Sequence, residues 1–180
     1  MIFFGFFELK MIRNILLKFF IISILFSPGC DKGISPEPEG TQAGFRGTIF
    51  FTGAWPDSIT RTHLVVFKDP LDSVSDFNPF NLRFVSLEIP HGSTIFNYNS
   101  LDSSSFSSIA AGNYAYIAVA QSKTSELSLN RIDWFVAGVY YSDNDTTKPG
   151  ILIIPENTLI TGINILVDFN NPPLQPPGGN

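Results

Sequence analysis

The chain has 180 residues, with 11 Lys and Arg against 16 Asp and Glu, which gives a formal net charge of −5. This acidic balance argues against nucleic acid or an anionic membrane face as the partner, because both attract clustered Lys and Arg. There is one cysteine, so no internal disulfide can form.

The N-terminal residues follow the order of a targeting segment. Arg13 and Lys18 form a basic region, residues 19–26 form an uncharged apolar run, and small or turn-forming residues follow up to Cys30. The apolar run is shorter than the roughly 20 residues that span a bilayer. We therefore predict an exported protein with residues 1–29 as its signal peptide.

Cys30 directly follows this region, and Gly29 supplies the small residue before it. The arrangement resembles the lipobox of bacterial lipoproteins, with Ser27 and Pro28 departing from the usual residues. The resemblance implies that Cys30 carries a diacylglycerol on its sulfur and becomes the mature N-terminus. The protein would then be anchored by lipid to a bacterial membrane, facing the periplasm or the cell surface. The alternative is an ordinary cleaved signal, which would leave a free thiol.

From Cys30 onward there are 8 Lys and Arg against 15 Asp and Glu, so the mature net charge is −7. Residues 30–42 contain two prolines and almost no large hydrophobic residue, which predicts a flexible tether. Fully extended, the tether would reach about 40 Å. Residues 170–180 are rich in Pro and Gly and predict a disordered or draped tail. Residues 43–169 between them predict one domain.

This domain consists of short strand-like runs separated by turns, with no convincing helix. The predicted strands are 45–52, 60–68, 82–89, 114–121, 132–141, 151–154 and 162–169, and residues 94–99 are the candidate for a short edge strand. Seven or so strands at this spacing indicate an all-β fold, an antiparallel β-sandwich.

Three details of this sandwich follow from the alternation of residues. Leu82 and Phe84 are predicted on one face of their strand, and Tyr114 and Tyr116 on one face of theirs. Residues 155–157 are predicted to join the last two strands as a hairpin.

The domain has glycines at its turns, aromatic residues at the starts of strands and an alternating strand at its end. They lie in segments 47–51 with 55–56, 65–67, 109–116, 133–134 with 138–140, 162–165 and 167–169. The run they cover resembles the transthyretin-like, or carboxypeptidase regulatory-like, β-sandwich found in many exported bacterial lipoproteins. The resemblance implies a non-catalytic module. Enzymes of the wider group hydrolyse 5-hydroxyisourate and end in Tyr-Arg-Gly-Ser, whereas this chain ends in Pro-Pro-Gly-Gly-Asn, so that activity is not carried over.

The residues themselves also argue against catalysis. His63 and His91 are the two histidines, and no serine lies in a Gly-x-Ser-x-Gly sequence. We predict His63 on the solvent face of a sheet and His91 in a turn. A zinc site would need more His or Cys. We therefore predict no enzyme, with a transthyretin-like hydrolase only as the third choice.

Calcium is the one metal for which the sequence offers ligands, because it binds oxygen atoms from short acidic loops. One cluster is Asp143, Asn144 and Asp145, and the other is Asp69, Asp72 and Asp76. Neither matches a full EF-hand loop, and Asp and Asn also cap turns without an ion. We therefore predict no cofactor, with Ca²⁺ at residues 143–145 as the alternative.

Aromatic rings that could be exposed suggest a second function, the binding of carbohydrate. Trp55, Trp134, Tyr140 and Tyr141 are candidates for stacking on sugars, although large aromatic residues in strands usually pack in the core. The sequence favours a lipid-anchored envelope module with a structural or protein-interaction role, and a carbohydrate-binding domain is the alternative. The expected partner is accordingly an envelope protein or a polysaccharide.

Overall fold

The computed structural model describes residues 42–102, 104–142 and 145–179. Cys30, the signal peptide, nearly all of the tether, Asp143 and Asn144 lie outside this part of the chain. The strands are β1 Gly44–Thr52, β2 Arg61–Phe67, β3 Leu82–Val85, β4 Ile95–Asn99, β5 Gly112–Tyr114, β6 Tyr116–Ser122, β7 Trp134–Val139, β8 Leu152–Ile154, β9 Leu159–Ile160 and β10 Ile165–Asp168. Two short 3₁₀ turns occupy Val74–Asp76 and Arg131–Asp133. None of the described residues forms a helix long and apolar enough to cross a membrane.

The strands form two main sheets packed face to face, which confirms the predicted all-β sandwich. The first sheet has the order β10-β1-β4, with β9 also paired to β1, and the second has the order β3-β2-β6-β7. A small ladder joins β5 and β8. There are ten strands, not about seven, and β1 runs parallel to both β9 and β10. The other pairs of described strands are antiparallel, as predicted, so the exception concerns β1 alone.

The main core lies between the two sheets. Along β1, Phe45, Ile49 and Phe51 point inward, whereas Arg46 and Phe50 point outward, as period-two alternation requires. Phe45 is fully buried, and its ring makes edge-to-face contacts with Phe84 at 5.7 Å and Tyr98 at 5.6 Å between centroids. Such contacts add to the free energy gained by burial.

The second sheet is buried on both faces. On the face away from the main core, Val65, Phe67, Tyr116 and Trp134 belong to a second hydrophobic cluster. Part of this face is covered by residues 71–81, which contribute Leu71 and Phe77 to that cluster. A sheet enclosed in this way has strands that read as continuous apolar runs, as β2 does.

The C-terminal segment is ordered along the edge of β7. The side chain of Gln175 bonds both backbone groups of Val136, accepting from its N–H at 2.8 Å and donating to its C=O at 2.8 Å. The Arg131 guanidinium donates to the Pro176 carbonyl at 2.9 Å and to the Trp134 carbonyl. Of the two predicted states, disordered or draped, the tail is therefore draped.

β3 differs from the prediction because it contains a bulge. Phe84 pairs with Val66 and Leu82 pairs with Phe67, so Arg83 is an extra residue in the ladder. A single extra residue reverses the alternation of side chains. Phe84 therefore enters the main core and Leu82 enters the second cluster, and the prediction of a shared face is wrong.

The predicted strand 114–121 is broken at Ala115. Tyr114 ends β5 and packs in the main core, whereas Tyr116 begins β6 and packs in the second cluster. β5 pairs with β8, while β6 lies between β2 and β7. The break lets the chain pass from one sheet to another, so the two tyrosines do not share a face.

The predicted hairpin around residues 155–157 does not form. β8 pairs antiparallel with β5, and β10 pairs parallel with β1. Asn157 turns the chain with a φ of 53°, which Asn tolerates better than most residues. The chain then enters a different sheet.

Candidate functional site

A cleft of about 700 Å³ opens beside the draped tail. It is lined by residues 70–72, residues 146–149, the tail, the start of β6 and the end of β7. Tyr116, Val139 and Tyr141 contribute to this lining. The volume lies within the range of about 300 to 1,000 Å³ that is usual for small-molecule sites.

Two tyrosine hydroxyls make this cleft chemically distinctive. Tyr116 is 6% exposed, and Tyr141 is half-buried. Neither hydroxyl forms a hydrogen bond with any of the described residues. Neither oxygen is among the buried polar atoms without a partner, so both are accessible to solvent. Tyr116 is thus a buried residue that lines the cleft, and its hydroxyl has no hydrogen-bond partner among the described residues.

Burial keeps both hydroxyls uncharged. It raises the pKa of Tyr116 well above its ordinary value, and the neighbouring Tyr141 raises that pKa further, while the positive charge of Arg131 lowers it in part. Burial also raises the pKa of Tyr141. Desolvation disfavours a phenolate, so each group stays a neutral donor and acceptor.

Few charges reach the cleft. Among the residues that line it, Lys148 and Asp72 carry charges of opposite sign. Thr147, on the same wall, donates its hydroxyl to Asp145, at 2.5 Å. The site therefore has balanced charge and is rich in hydroxyl groups.

The structure does not bring the predicted stacking residues together. Trp55 is half-buried against the main core, with its ring 4.8 Å from Phe51 and its Nε1 donating to the Ser93 carbonyl at 2.9 Å. Tyr140 also packs against the main core. Trp134 belongs to the second cluster and is 7% exposed. The expectation of Trp134 as a stacking ring is corrected, since burial leaves almost none of its face accessible.

Trp134 does border a second cleft, of about 430 Å³. Phe135 and Ile132 line it with the fully buried Gln121, whose Nε2 donates to Thr62 Oγ1 at 3.3 Å. The Gln121 Oε1 has no partner among the described residues but is sealed from solvent. A ligand in this cleft would not reach it without a rearrangement.

His63 is a core residue, not a solvent-facing one. It is 2% exposed, and its Nδ1 donates to the Ser86 carbonyl at 2.9 Å. The prediction failed because loops and Trp134 cover this face of the second sheet, and the Trp134 ring lies 6.2 Å from the imidazole. His91 is exposed in its turn and lies against Trp55, 5.0 Å between centroids.

The buried imidazole predicts a specific pH dependence of stability. Burial lowers the pKa of His63 below 6.5, only partly offset by its hydrogen bond to Ser86. Below pH 6.5 the unfolded chain therefore binds a proton that the folded chain excludes, so the free energy of unfolding falls, by at most about 1.4 kcal/mol per pH unit. The fall ends once the pH reaches the folded-state pKa.

Replacing His63 with Gln, which retains an N–H donor, should remove this component between about pH 7 and pH 5. Urea unfolding at a series of pH values measures it as the difference between variant and parent chain. His91→Gln, at the exposed histidine, is the control and should keep the parental slope. Equal slopes in parent and His63→Gln would contradict the burial argument.

Asp145 and Asp76 accept hydrogen bonds from residues of their own loops. Asp145 Oδ1 accepts from the backbone N–H of Thr147 at 3.0 Å, and its hydrogen bonds with Thr147 lower its pKa. Asp76 Oδ2 accepts from the backbone N–H groups of Ser73 and Asp72. No group of three or more His, Cys, Asp or Glu suited to a metal occurs within the described residues. The calcium prediction at residues 143–145 rests mainly on residues outside them.

The outer face of the first sheet carries an exposed apolar row. Ile95, Phe50 and Leu166 lie directly opposite one another on β4, β1 and β10, and they are 57%, 42% and 60% exposed. The adjacent row is polar and uncharged, with Thr48 donating its hydroxyl to Asn97 at 2.8 Å. We call these three apolar residues the outer row.

No model of a known protein family matches this chain, nor does any curated protein or solved structure. The resemblance to lipoproteins and to transthyretin-like sandwiches therefore stays a prediction from the sequence. What the protein does has to be argued from its own surfaces, of which the tyrosine-lined cleft and the outer row are the two candidates.

Proposed function

We propose that this protein is a lipid-anchored, non-catalytic module of the bacterial cell envelope that binds another envelope protein through the outer row. The observation that carries the proposal is the alignment of Ile95, Phe50 and Leu166 across three paired strands. Exposed apolar residues that form a contiguous patch are typical of a protein-binding site.

The setting of the outer row favours a protein partner. Thr48 and Asn97 beside it are uncharged and bonded to each other, so they can be covered at little electrostatic cost. Arg46 lies on the same face of β1, two residues beyond Thr48, and Asp168 extends the face on β10. Apolar centres with polar margins are the usual anatomy of such interfaces.

The sequence N-terminal to the domain supports placement at a membrane. A lipid on Cys30 followed by the tether of residues 31–42 would hold the domain within about 40 Å of the bilayer. β1, the strand that carries Phe50, begins at Gly44. The outer row would thus be presented to proteins in the same membrane or just above it.

Site-specific photocrosslinking in native envelopes tests the proposal. Benzoylphenylalanine at position 166 should give a discrete protein adduct, whereas the same group at position 132 should not. The two positions are matched, since Leu166 is 60% and Ile132 is 62% exposed, but Ile132 lies outside the outer row. Phe50→Ser should abolish the adduct at position 166.

The anchor is tested separately with Cys30→Ala, which should release the protein from the membrane fraction and reduce the adduct. Equal adducts from positions 166 and 132, or an adduct that persists in Phe50→Ser, would contradict the outer row as the interface. Membrane retention of Cys30→Ala would contradict lipidation while leaving the interface testable.

A further inference from the structure

We propose that the cleft lined by Tyr116 and Tyr141 is a binding site for a neutral carbohydrate. This site is independent of the outer row, which belongs to the other sheet, so either proposal can fail alone. Of the four aromatic residues that the sequence suggested for sugar binding, Tyr141 lines this cleft, whereas Trp55, Trp134 and Tyr140 are not part of its lining.

The unpartnered hydroxyl of Tyr116 is the main observation. Its side chain is 94% buried, it lines the cleft, and it makes no hydrogen bond within the described residues. A hydroxyl that is open to solvent is bonded by water, and a ligand hydroxyl that replaces this water keeps the hydrogen bond. Tyr141 provides a second hydroxyl on the same cleft that makes no hydrogen bond with the residues that the structure describes.

Hydroxyl groups match the chemistry of a sugar. A tyrosine hydroxyl both donates and accepts, as does each hydroxyl of a sugar ring. The rest of the lining offers apolar groups, including Val139, Ile151 and Pro149, against which the C–H face of a sugar can pack. Lys148 and Asp72 are the two charged residues of the lining, and their opposite charges favour a neutral ligand.

A peptide fits this cleft less well. Peptides commonly bind by adding a strand to a sheet edge, where backbone groups supply the affinity. β7 lies at the edge of its sheet, and Gln175, which lines the cleft, already bonds both backbone groups of Val136. A peptide would have to displace the tail, whereas a sugar binds the hydroxyls with the tail in place.

The test uses the full chain in a detergent without a sugar headgroup. Its probes are neutral di- to tetrasaccharides of glucose, galactose, mannose and N-acetylglucosamine, with galacturonate oligomers as acidic counterparts and a proline-rich decapeptide as the peptide probe. At least one neutral oligosaccharide should bind and shift the amide resonances of Ala115 and Val139. Tyr116→Phe and Tyr141→Phe should each weaken this binding about tenfold, as expected for one lost hydrogen bond.

Tyr114→Phe is the matched control, because the Tyr114 hydroxyl donates to the Ala110 carbonyl at 2.8 Å and does not line the cleft. It should leave sugar affinity unchanged. The proposal is overturned if no neutral oligosaccharide binds, if only the acidic oligomers or the peptide bind, or if both cleft variants bind as tightly as the parent chain. The resonance shifts of the parent chain decide the location even if one variant folds poorly.

Discussion

Gly47→Ala should destabilise the protein by about 3 kcal/mol or more, the range of a severe steric clash in a core. A Cβ at this position of β1 would lie 2.0 Å from the Ile163 carbonyl oxygen and 2.5 Å from its carbon. These are backbone atoms, and they are held on two sides. The Tyr98 hydroxyl donates to that same oxygen at 2.5 Å, and the Ile163 N–H donates to the Arg46 carbonyl at 3.2 Å.

The free energy of unfolding from urea titration measures this effect. Gly162→Ala is the control, because nothing lies within 4 Å of its added Cβ but its φ is +80°. It should cost only about 1 to 2 kcal/mol, the usual penalty of a left-handed conformation for alanine. A loss at Gly47 no larger than that at Gly162 would mean that residue 163 can move away, and that the close approach of these segments does not constrain the fold.

The close approach at Gly47 illustrates what the sequence does and does not determine. Alternation along β1 predicts its inward residues correctly, because one face packs on the core and the other meets solvent. The partner of Gly47 lies more than a hundred residues away, in the segment between β9 and β10. β9 has two residues and is too short for periodicity to define, whereas β10 lies within the predicted strand 162–169. The parallel pairing of both strands with β1 leaves no local signal in the sequence.

The predictions that failed in the second sheet failed for a common physical reason, the packing of the rest of the chain against it. The predicted solvent exposure of His63 assumes a sheet with one wet face, but residues 71–81 and Trp134 cover that face. The bulge at Arg83 and the break at Ala115 each reverse the alternation over one residue. Such single-residue events are selected by tertiary packing and do not change the composition of the strand.

The residues of the candidate site also depend on tertiary packing that the sequence does not reveal. The sequence identifies Tyr116 as a strand residue, but the cleft that it lines is formed by residues 70–72, 146–149 and the tail, which are distant in sequence. Trp134 shows the opposite outcome: a residue whose type favours ligand stacking lies buried, with its Nε1 donating to the Ser128 carbonyl at 2.6 Å. Residue type alone therefore does not distinguish the two.

Gln175→Ala should release the tail and open the edge of β7. The Gln175 amide occupies the place of a neighbouring strand, because it bonds both the N–H and the C=O of Val136. Losing two such bonds costs roughly 1 to 3 kcal/mol, which should speed hydrogen exchange of the Val136 amide by a factor of about ten or more. The Tyr140 amide donates to the Ile117 carbonyl and should stay protected.

An unprotected strand edge is a template for pairing with another chain. We therefore expect Gln175→Ala to self-associate more than the parent chain in sedimentation velocity, through its β7 edges. Leu174→Ala is the matched control, since Leu174 is 96% exposed and its loss should change neither property. If the Val136 amide stays as protected in Gln175→Ala as in the parent, then Arg131 alone secures the tail through its bond to Pro176. In that case the tail would protect the edge of β7 without Gln175, and Arg131→Met would be the variant that releases it.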